Sequence, residues 1–407
     1  MISVSMNRMK LPPPLDWPIA GIGPDADVPP ELRVTRDNWR TYPYSRWAFQ
    51  HARELVPSRV IRRSSTPREL EEAWRDLSGI SFPDAEGRLV RWDEFLERTY
   101  TDAFLVLHRG ALVYEHYANG MTAETPHLLF SITKSFFGLL AEILIVQGVL
   151  DPDSAVEQHV PELGASGFAG CTVRQILDMT DGVAFDENYA DPDAEVHRYS
   201  AAYWTPQAGF GGVFEALKGL TRRAAPPGAQ FRYRTPVADV LGWILLRATG
   251  QSLTKLLGDR IWRPAGCADN AQILLDTAGH EIAGAGLNAT ARDLARVALM
   301  LLDGGWVDDR LVIPPVALDN IAIGGDRGLF DASGFPTRPG GSYRSQWWVN
   351  HEGYGSLSAL GVFGQRLYLE PGSGLAVIRT GSHPVASNSF TDVIHANAFD
   401  AIREALA

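Results

Sequence analysis

Cysteine is almost absent: the 407-residue chain has two, Cys171 and Cys267. Two cysteines build neither a disulfide framework nor a metal-ligand cluster. They are expected to be buried, reduced thiols, which fits a cytoplasmic setting. Long uncharged apolar runs are missing as well. The stretch after Ser135 is broken by Glu142 and Gln147, so no membrane span is expected. The leading segment, MISVSMNRMKLPPPLDWP, has neither an apolar core nor a small-residue cleavage site, so it does not read as a secretory signal. Basic charge is in deficit, with 37 Lys+Arg against 48 Asp+Glu and a net charge of −11. A binder of phosphate backbones is normally basic, so nucleic acid is not an expected partner. Lysine itself is scarce: Lys10, Lys134, Lys218 and Lys255 are the only four.

What is present suffices for a large core. The composition is 45% apolar and 21% charged, that of an ordinary globular chain with one large or two medium domains. Residues 1–65, rich in Pro and Arg, read as an arm wrapping a core. Ala103–Leu107 and Leu112–Tyr117 flank His108-Arg109-Gly110, which predicts a β-hairpin. Helices are predicted over 132–147, ending at Gly148, over 172–183, closed by Gly182, over 237–250, capped by Gly250, over 288–305, and at the C-terminus. Thr290 and Asp293 predict a capping box. Residues 184–230, rich in Asp, Pro, Gly and aromatics, read as mostly irregular, and 359–382 as two strands joined by a Pro-Gly turn. Strands near both ends and helices between them predict an α+β fold. In it, an antiparallel sheet is flanked by helices, with an all-helical region inserted.

Two of the four lysines follow a serine at the same spacing: Ser131-Ile-Thr-Lys134 and Ser252-Leu-Thr-Lys255. Residues three apart share a helix face. Serine becomes a nucleophile when a base takes its proton, and lysine serves as that base once burial lowers its pKa. Lys134 is followed by Phe136, Phe137, Leu139, Leu140, Ile143 and Leu144, an all-round apolar helix that must be buried. Ser252 reads instead as a helix cap after Gly250, and Lys255 as a solvated lysine beside Asp259 and Arg260. Taken alone, Ser131 and Lys134 also fit a capping serine and a snorkelling lysine. Tyr233, after a Pro-Pro-Gly turn, is a candidate proton relay, provided that a cation stabilises its anionic form. The segment 359–365, ALGVFGQ, could offer a backbone N–H to an oxyanion beside that of the serine, and Gly361 and Gly364 permit close approach. Arg379-Thr380-Gly381 is a rival for that strand. There is no G-x-S-x-G elbow. His280-Glu281 lacks the second histidine of a zinc motif, and the G-x-G-x-x-A match at 284–289 lacks its βαβ setting.

Ser-x-x-Lys, a tyrosine box and a glycine-containing strand, in this order, resemble the serine β-lactamase and penicillin-binding superfamily, in its class C-like branch. YSRWAFQHARELVPS (44–58), TYTDAFLVL (99–107), NYADPDAEV (188–196), TARDLARV (290–297), SYRSQWW (342–348) and GVFGQRLYLEPGSG (361–374) are similar to the 6-aminohexanoate-dimer hydrolases, the nylon-oligomer enzymes. The resemblance runs from about residue 40 to the end. It implies a serine β-lactamase/transpeptidase-like fold, with Ser131 as nucleophile, Lys134 as general base and Tyr233 as proton relay. It implies the N–H groups of Ser131 and Val362 as the oxyanion hole, and Tyr189 as a contact for the substrate amide. Thr235 stands third in the tyrosine box where the family has Asn or Ser, and Phe363 stands where the nylon enzymes have a histidine. Ser200 and Gly284 occupy positions where active members carry Asp and Asn.

The expected organisation is a discontinuous sheet domain, 1–130 and 286–407, and a helical domain, 131–285, with the site between them. The expected activity is serine hydrolysis through an acyl-enzyme on Ser131, acting on carboxylic esters and on short linear amides such as 6-aminohexanoate oligomers. Esters are the better substrates expected, because their leaving groups need less protonation. The alternatives are acyl transfer at the same Ser-Lys-Tyr site, or a non-catalytic binder retaining the fold. No metal or organic cofactor is expected. The expected partners are a small-molecule ester or amide and a second copy in a homodimer.

Overall fold

The computed structural model describes residues 11–205, 211–335 and 340–407. Lys10 and the start of the leading segment lie outside them. Twelve strands matter here. They are β1 (Ser58–Ile61), β2 (Glu71–Glu72), β3 (Thr101–His108), β4 (Ala111–Tyr117), β5 (His127–Leu128), β6 (Ala271–Leu274), β7 (Leu287–Ala289), β8 (Ser342–Arg344), β9 (Trp347–Val349), β10 (Leu357–Gly361), β11 (Gln365–Glu370) and β12 (Leu375–Gly381). The main sheet runs β8-β9-β10-β11-β12-β3-β4-β2, antiparallel except for β2 against β4. The N- and C-terminal parts of the chain thus meet at β3 and β12, with Leu105 opposite Ile378 and Val106 opposite Val377.

Burial on both faces explains the unbroken apolar run of β3. Ala103, Leu105 and Leu107 enter the larger core with the helices of the middle region, while Phe104 and Val106 pack with Ile394, Phe399 and Ile402 of the C-terminal helix. The predicted hairpin turn is there, with Arg109 and Gly110 both at positive φ. The arm is tied in by a buried cluster: Arg46 donates to Asp102 at 2.8 Å, and His127 Nε2 lies 3.1 Å from the other carboxylate oxygen.

The principal helices are α1 (Ile132–Val146), α2 (Val173–Leu177), α3 (Glu195–Trp204), α4 (Gly212–Lys218), α5 (Thr235–Thr249), α6 (Leu253–Leu257), α7 (Ala291–Leu302) and α8 (Ser389–Leu406). α1 is buried nearly throughout, as its all-round apolar sequence requires. A Cβ on Gly138 would overlap the carbonyl oxygen of Ser345, so glycine lets α1 lie directly on that backbone. α5 starts with Pro236 in its first turn and stops at Gly250, φ 64, an arrangement in which each residue suits its end.

Several expectations are corrected. The inserted region is not purely helical: β6 pairs with β1 and β7 in a second sheet, β1-β6-β7-β5, where strand partners settle a short apolar run, AQIL, that suits strand or buried helix. The helix expected over 172–183 is short; Thr172 and Gln175 form a full capping box at its start, but Met179 at φ 53 ends it. Residues 184–230 are mostly irregular among the described residues, as expected, but also contain α3 and α4. At α7, Thr290 accepts from the Asp293 N–H, but the Asp293 carboxylate instead accepts from the N–H groups of Ala268 and Asp269, so half of the expected box forms. The span 359–382 holds the end of β10 as well as β11 and β12. No helix among the described residues is long and apolar enough to cross a membrane.

Candidate active site

Ser131 stands at the N-terminal end of α1 but makes no capping hydrogen bond. Its hydroxyl oxygen instead lies 2.7 Å from Lys134 Nζ, one turn along. The residue before it, Phe130, is at φ 47, a left-handed conformation that costs about 1–2 kcal/mol for a side-chain-bearing residue. Packing holds it: the Phe130 ring lies edge-on to Phe49 and tilted against Phe363, and its carbonyl accepts from Thr133 Oγ1 at 2.6 Å.

Lys134 is 1% exposed. Its ammonium has three polar neighbours: Ser131 Oγ, Thr235 Oγ1 at 3.2 Å and the Gly284 carbonyl at 2.6 Å. Burial lowers its pKa from 10.5 to about 8, against the opposing pull of Glu187 and Asp239. The second Ser-x-x-Lys behaves as expected. Ser252 caps α6 by accepting from the Lys255 N–H, and Lys255 is an exposed partner of Asp259.

Tyr233 lies beside the pair: the Ser131 side chain is among the groups that act on its phenol, and Lys134 Nζ lies 5.3 Å from its ring centroid. The expected cation is therefore present, yet it does not make the phenolate accessible. Burial, followed by the charge of Glu187, pushes the phenol well above its usual range. Tyr233 is held as a neutral hydroxyl, stacked on Trp348 and edge-on to Tyr343.

The segment 361–364 forms a turn between β10 and β11. A Cβ on Gly361 would overlap the Leu129 carbonyl oxygen, which sets this turn directly against the segment leading into Ser131. Its carbonyls are all tied: Gly361 to Asn388 Nδ2, Val362 to Gln365 Nε2, Phe363 to the His383 N–H and Gly364 to Arg379. Val362 and Phe363 are partly buried, with Phe363 at φ 62 and its ring against Phe49 and Phe130. The rival Arg379-Thr380-Gly381 lies on β12 instead. There Arg379 is fully buried and hydrogen-bonded to the Thr99 and Gly364 carbonyls, so it supports the turn from behind.

Tyr189 is brought in: its hydroxyl donates to Glu187 Oε1 at 3.4 Å. Gly284 is brought in through its backbone, and a Cβ there would overlap the Tyr203 hydroxyl. Ser200 is not; its hydroxyl donates to His197 O within α3 and makes no hydrogen bond to Ser131, Lys134 or Tyr233 among the described residues. Two carboxylates went unread in the sequence. Glu187 accepts from both the backbone N–H and the hydroxyl of Thr235. Asp239 accepts from the Gly284 N–H at 2.9 Å and from the hydroxyls of Tyr199 and Tyr203, with burial raising its pKa to about 6. The Thr235 position in the tyrosine box was a signal for the first, though the 48 residues between Glu187 and Thr235 hid the pairing. The second stood, like Lys134, as an ionisable group inside an apolar helix, but its partners lie 36 to 45 residues away in the chain.

The Beta-lactamase family model matches residues 93–405. The chain belongs to the beta-lactamase family. It is 35% identical, over 86% of its length and 88% of the relative's, to a 6-aminohexanoate-dimer hydrolase of Paenarthrobacter ureafaciens. A solved structure of a candidate 6-aminohexanoate-dimer hydrolase from Bacillus anthracis superposes with a TM-score of 0.84 at 28% identity, covering 93% of this chain and 98% of that one. EstCE1, a hydrolase with promiscuous acyltransferase activity, shares the fold at a TM-score of 0.59 and 19% identity, over 76% of this chain and 93% of its own. Within this beta-lactamase-family chain, Ser131 and Lys134 are in hydrogen-bond contact and Tyr233 lies beside them.

Proposed function

We propose that the protein is a serine hydrolase that cleaves carboxylic esters, and more slowly short linear amides of the 6-aminohexanoate type, through an acyl-enzyme on Ser131. The observation that carries this is the 2.7 Å contact between Ser131 Oγ and a lysine nitrogen that burial holds near pKa 8. Neutral Lys134 takes the Ser131 proton as Oγ bonds to the carbonyl carbon, and the carbonyl π pair moves to its oxygen. The N–H groups of Ser131 and Val362 receive that oxyanion; donors so placed are each worth about 3–4 kcal/mol in such reactions. As the tetrahedral centre collapses, Tyr233 passes a proton to the leaving group and is reprotonated from the Lys134 ammonium. Water then attacks the acyl carbon by the same route in reverse, releasing the acid and restoring Ser131.

The ester preference follows from Tyr233 and Gly284. A phenol pushed upward in pKa is a weak acid, which an alkoxide or phenoxide leaving group tolerates better than an amine. Gly284 offers no side chain to a substrate amide, and Tyr203 fills the space that one would need. The site lies on the seam between the sheet region, 1–130 and 286–407, and the middle region, 131–285, which we propose as the two domains. The test is a panel of short-chain p-nitrophenyl esters, 6-aminohexanoate dimer and cephalosporins against wild type and Ser131→Ala. Ester turnover is expected to vanish in the variant; turnover at the wild-type rate would sink the proposal.

A further inference from the structure

This inference rests on the Ser131–Lys134 reading above and asks how the base is aimed. An ammonium donates three hydrogen bonds, and Lys134 has three partners: Ser131 Oγ, Thr235 Oγ1 and Gly284 O. The working base is the neutral amine, with two N–H donors and one lone pair. One of the three contacts must then reverse so that the lone pair faces a donor. The Gly284 carbonyl cannot reverse, because it only accepts. Thr235 could reverse, since a hydroxyl both donates and accepts. If it did, the lone pair would be spent on Thr235 and turned from the nucleophile.

Glu187 prevents this. Thr235 Oγ1 donates its proton to Glu187 Oε1 at 2.6 Å, and the Thr235 backbone N–H donates to the other carboxylate oxygen. Burial pushes the Glu187 carboxyl up, while the Lys134 charge, the two Thr235 bonds and the Tyr189 hydroxyl, a third donor at 3.4 Å, pull the other way by favouring its ionised form. With its proton committed there, Thr235 Oγ1 shows only lone pairs to Lys134. Ser131 is the one remaining group able to donate. We propose that Glu187 is a positioning residue for the first proton transfer: by fixing the Thr235 hydroxyl proton, it aims the lone pair of Lys134 at Ser131.

The proposal separates two effects of Glu187. Its charge raises the pKa of Lys134, so removing the charge should move the acid limb of the pH–rate profile to lower pH. A role limited to charge would stop there and leave the high-pH plateau intact. Aiming predicts a lower plateau too. In Glu187→Gln the amide nitrogen must donate to whatever it faces, so Thr235 Oγ–H is released toward Lys134. The plateau of kcat/KM for a short-chain p-nitrophenyl ester should fall about 10- to 100-fold, the range seen for small misplacements of reacting groups.

The experiment measures pH–rate profiles and pre-steady-state acylation for wild type, Glu187→Gln, Glu187→Asp, Thr235→Val and the Glu187→Gln/Thr235→Val double variant. Glu187→Asp should recover part of the plateau. In the Thr235→Val background, which keeps the backbone N–H to Glu187 but lacks the hydroxyl, adding Glu187→Gln should change the plateau less than about twofold, since coupled sites are non-additive. Multiplicative effects, or a plateau unchanged in Glu187→Gln, overturn the proposal. Should Glu187→Gln fail to fold, Thr235→Ser against Thr235→Val decides: equal plateaus mean that the hydroxyl aims nothing. Full turnover in Ser131→Ala would instead refute the hydrolase reading itself, so the two failures are distinguishable.

Discussion

The burial of Lys134 has a measurable signature in both rate and stability. With a pKa lowered from 10.5 to about 8 by burial, a fraction of about one tenth is neutral at pH 7. An exposed lysine would be neutral to about one part in 3,000 at that pH. The ester kcat/KM of wild type should therefore rise about tenfold between pH 7 and pH 9 and level off above, reporting the free-enzyme base. The same shift acts on folding. The ammonium is disfavoured in the fold, so between about pH 8 and 10.5 the unfolded chain binds more protons than the folded one, and stability rises with pH across that window. The whole effect is about 3 kcal/mol, and below pH 8 the folded protein carries all of it as a penalty. Lys134→Met removes the ionisable group while retaining length and apolar volume. At pH 7 the variant should be inactive toward esters yet more stable than wild type, by less than that figure because three hydrogen bonds are lost. The stability gap, from urea midpoints, should shrink by about 2–3 kcal/mol as pH is raised from 7.5 to 10. A gap independent of pH, or a rate limb near pH 10, would show that the lysine titrates as if exposed, and the proposed base would fail.

Two further substitutions probe the scaffold around the pair. Gly361→Ala should push the 361–364 turn off the Leu129 carbonyl and lower kcat for esters about 10- to 100-fold while KM moves little, since oxyanion stabilisation acts on the transition state; steady-state kinetics checks this. Gly138→Ala has the better helix former but collides with the Ser345 carbonyl. A net loss of about 1–3 kcal/mol in denaturant unfolding is expected, overpacking outweighing a propensity gain of about 1 kcal/mol.

Local pattern reached far into this site. Two identical Ser-x-x-Lys spacings were separated by their neighbours, Phe136, Phe137 and Leu140 around one lysine and Asp259 and Arg260 around the other, together with the candidate partners Tyr233 and Val362 further along. Spacing within a helix and the polarity of adjacent residues are properties of the chain itself. The same holds for the hairpin at Arg109-Gly110 and the helix stop at Gly250, where a left-handed residue is needed and supplied. Where the reading failed, the deciding forces were not local. The β6 run AQIL suits strand or buried helix equally, and only a partner, β1, selects the strand. Helix α3, with a polar outer face and Tyr199 and Tyr203 inward, has its order from Asp239, 36 to 40 residues away.

The sequence by itself singled out Ser131 and Lys134 as the candidate pair, because an apolar helix favours burial of its one lysine and a tyrosine box and a glycine-containing strand follow in order. Only the tertiary structure decided what that lysine faces. Glu187 and Thr235 are 48 residues apart, and Gly284 and Lys134 are 150 apart. Packing α5, the 184–194 segment and the 282–289 segment around α1 is what brings one threonine proton, one carboxylate and one carbonyl to the base. The direction of a lone pair depends on all three, and no spacing along a chain encodes it.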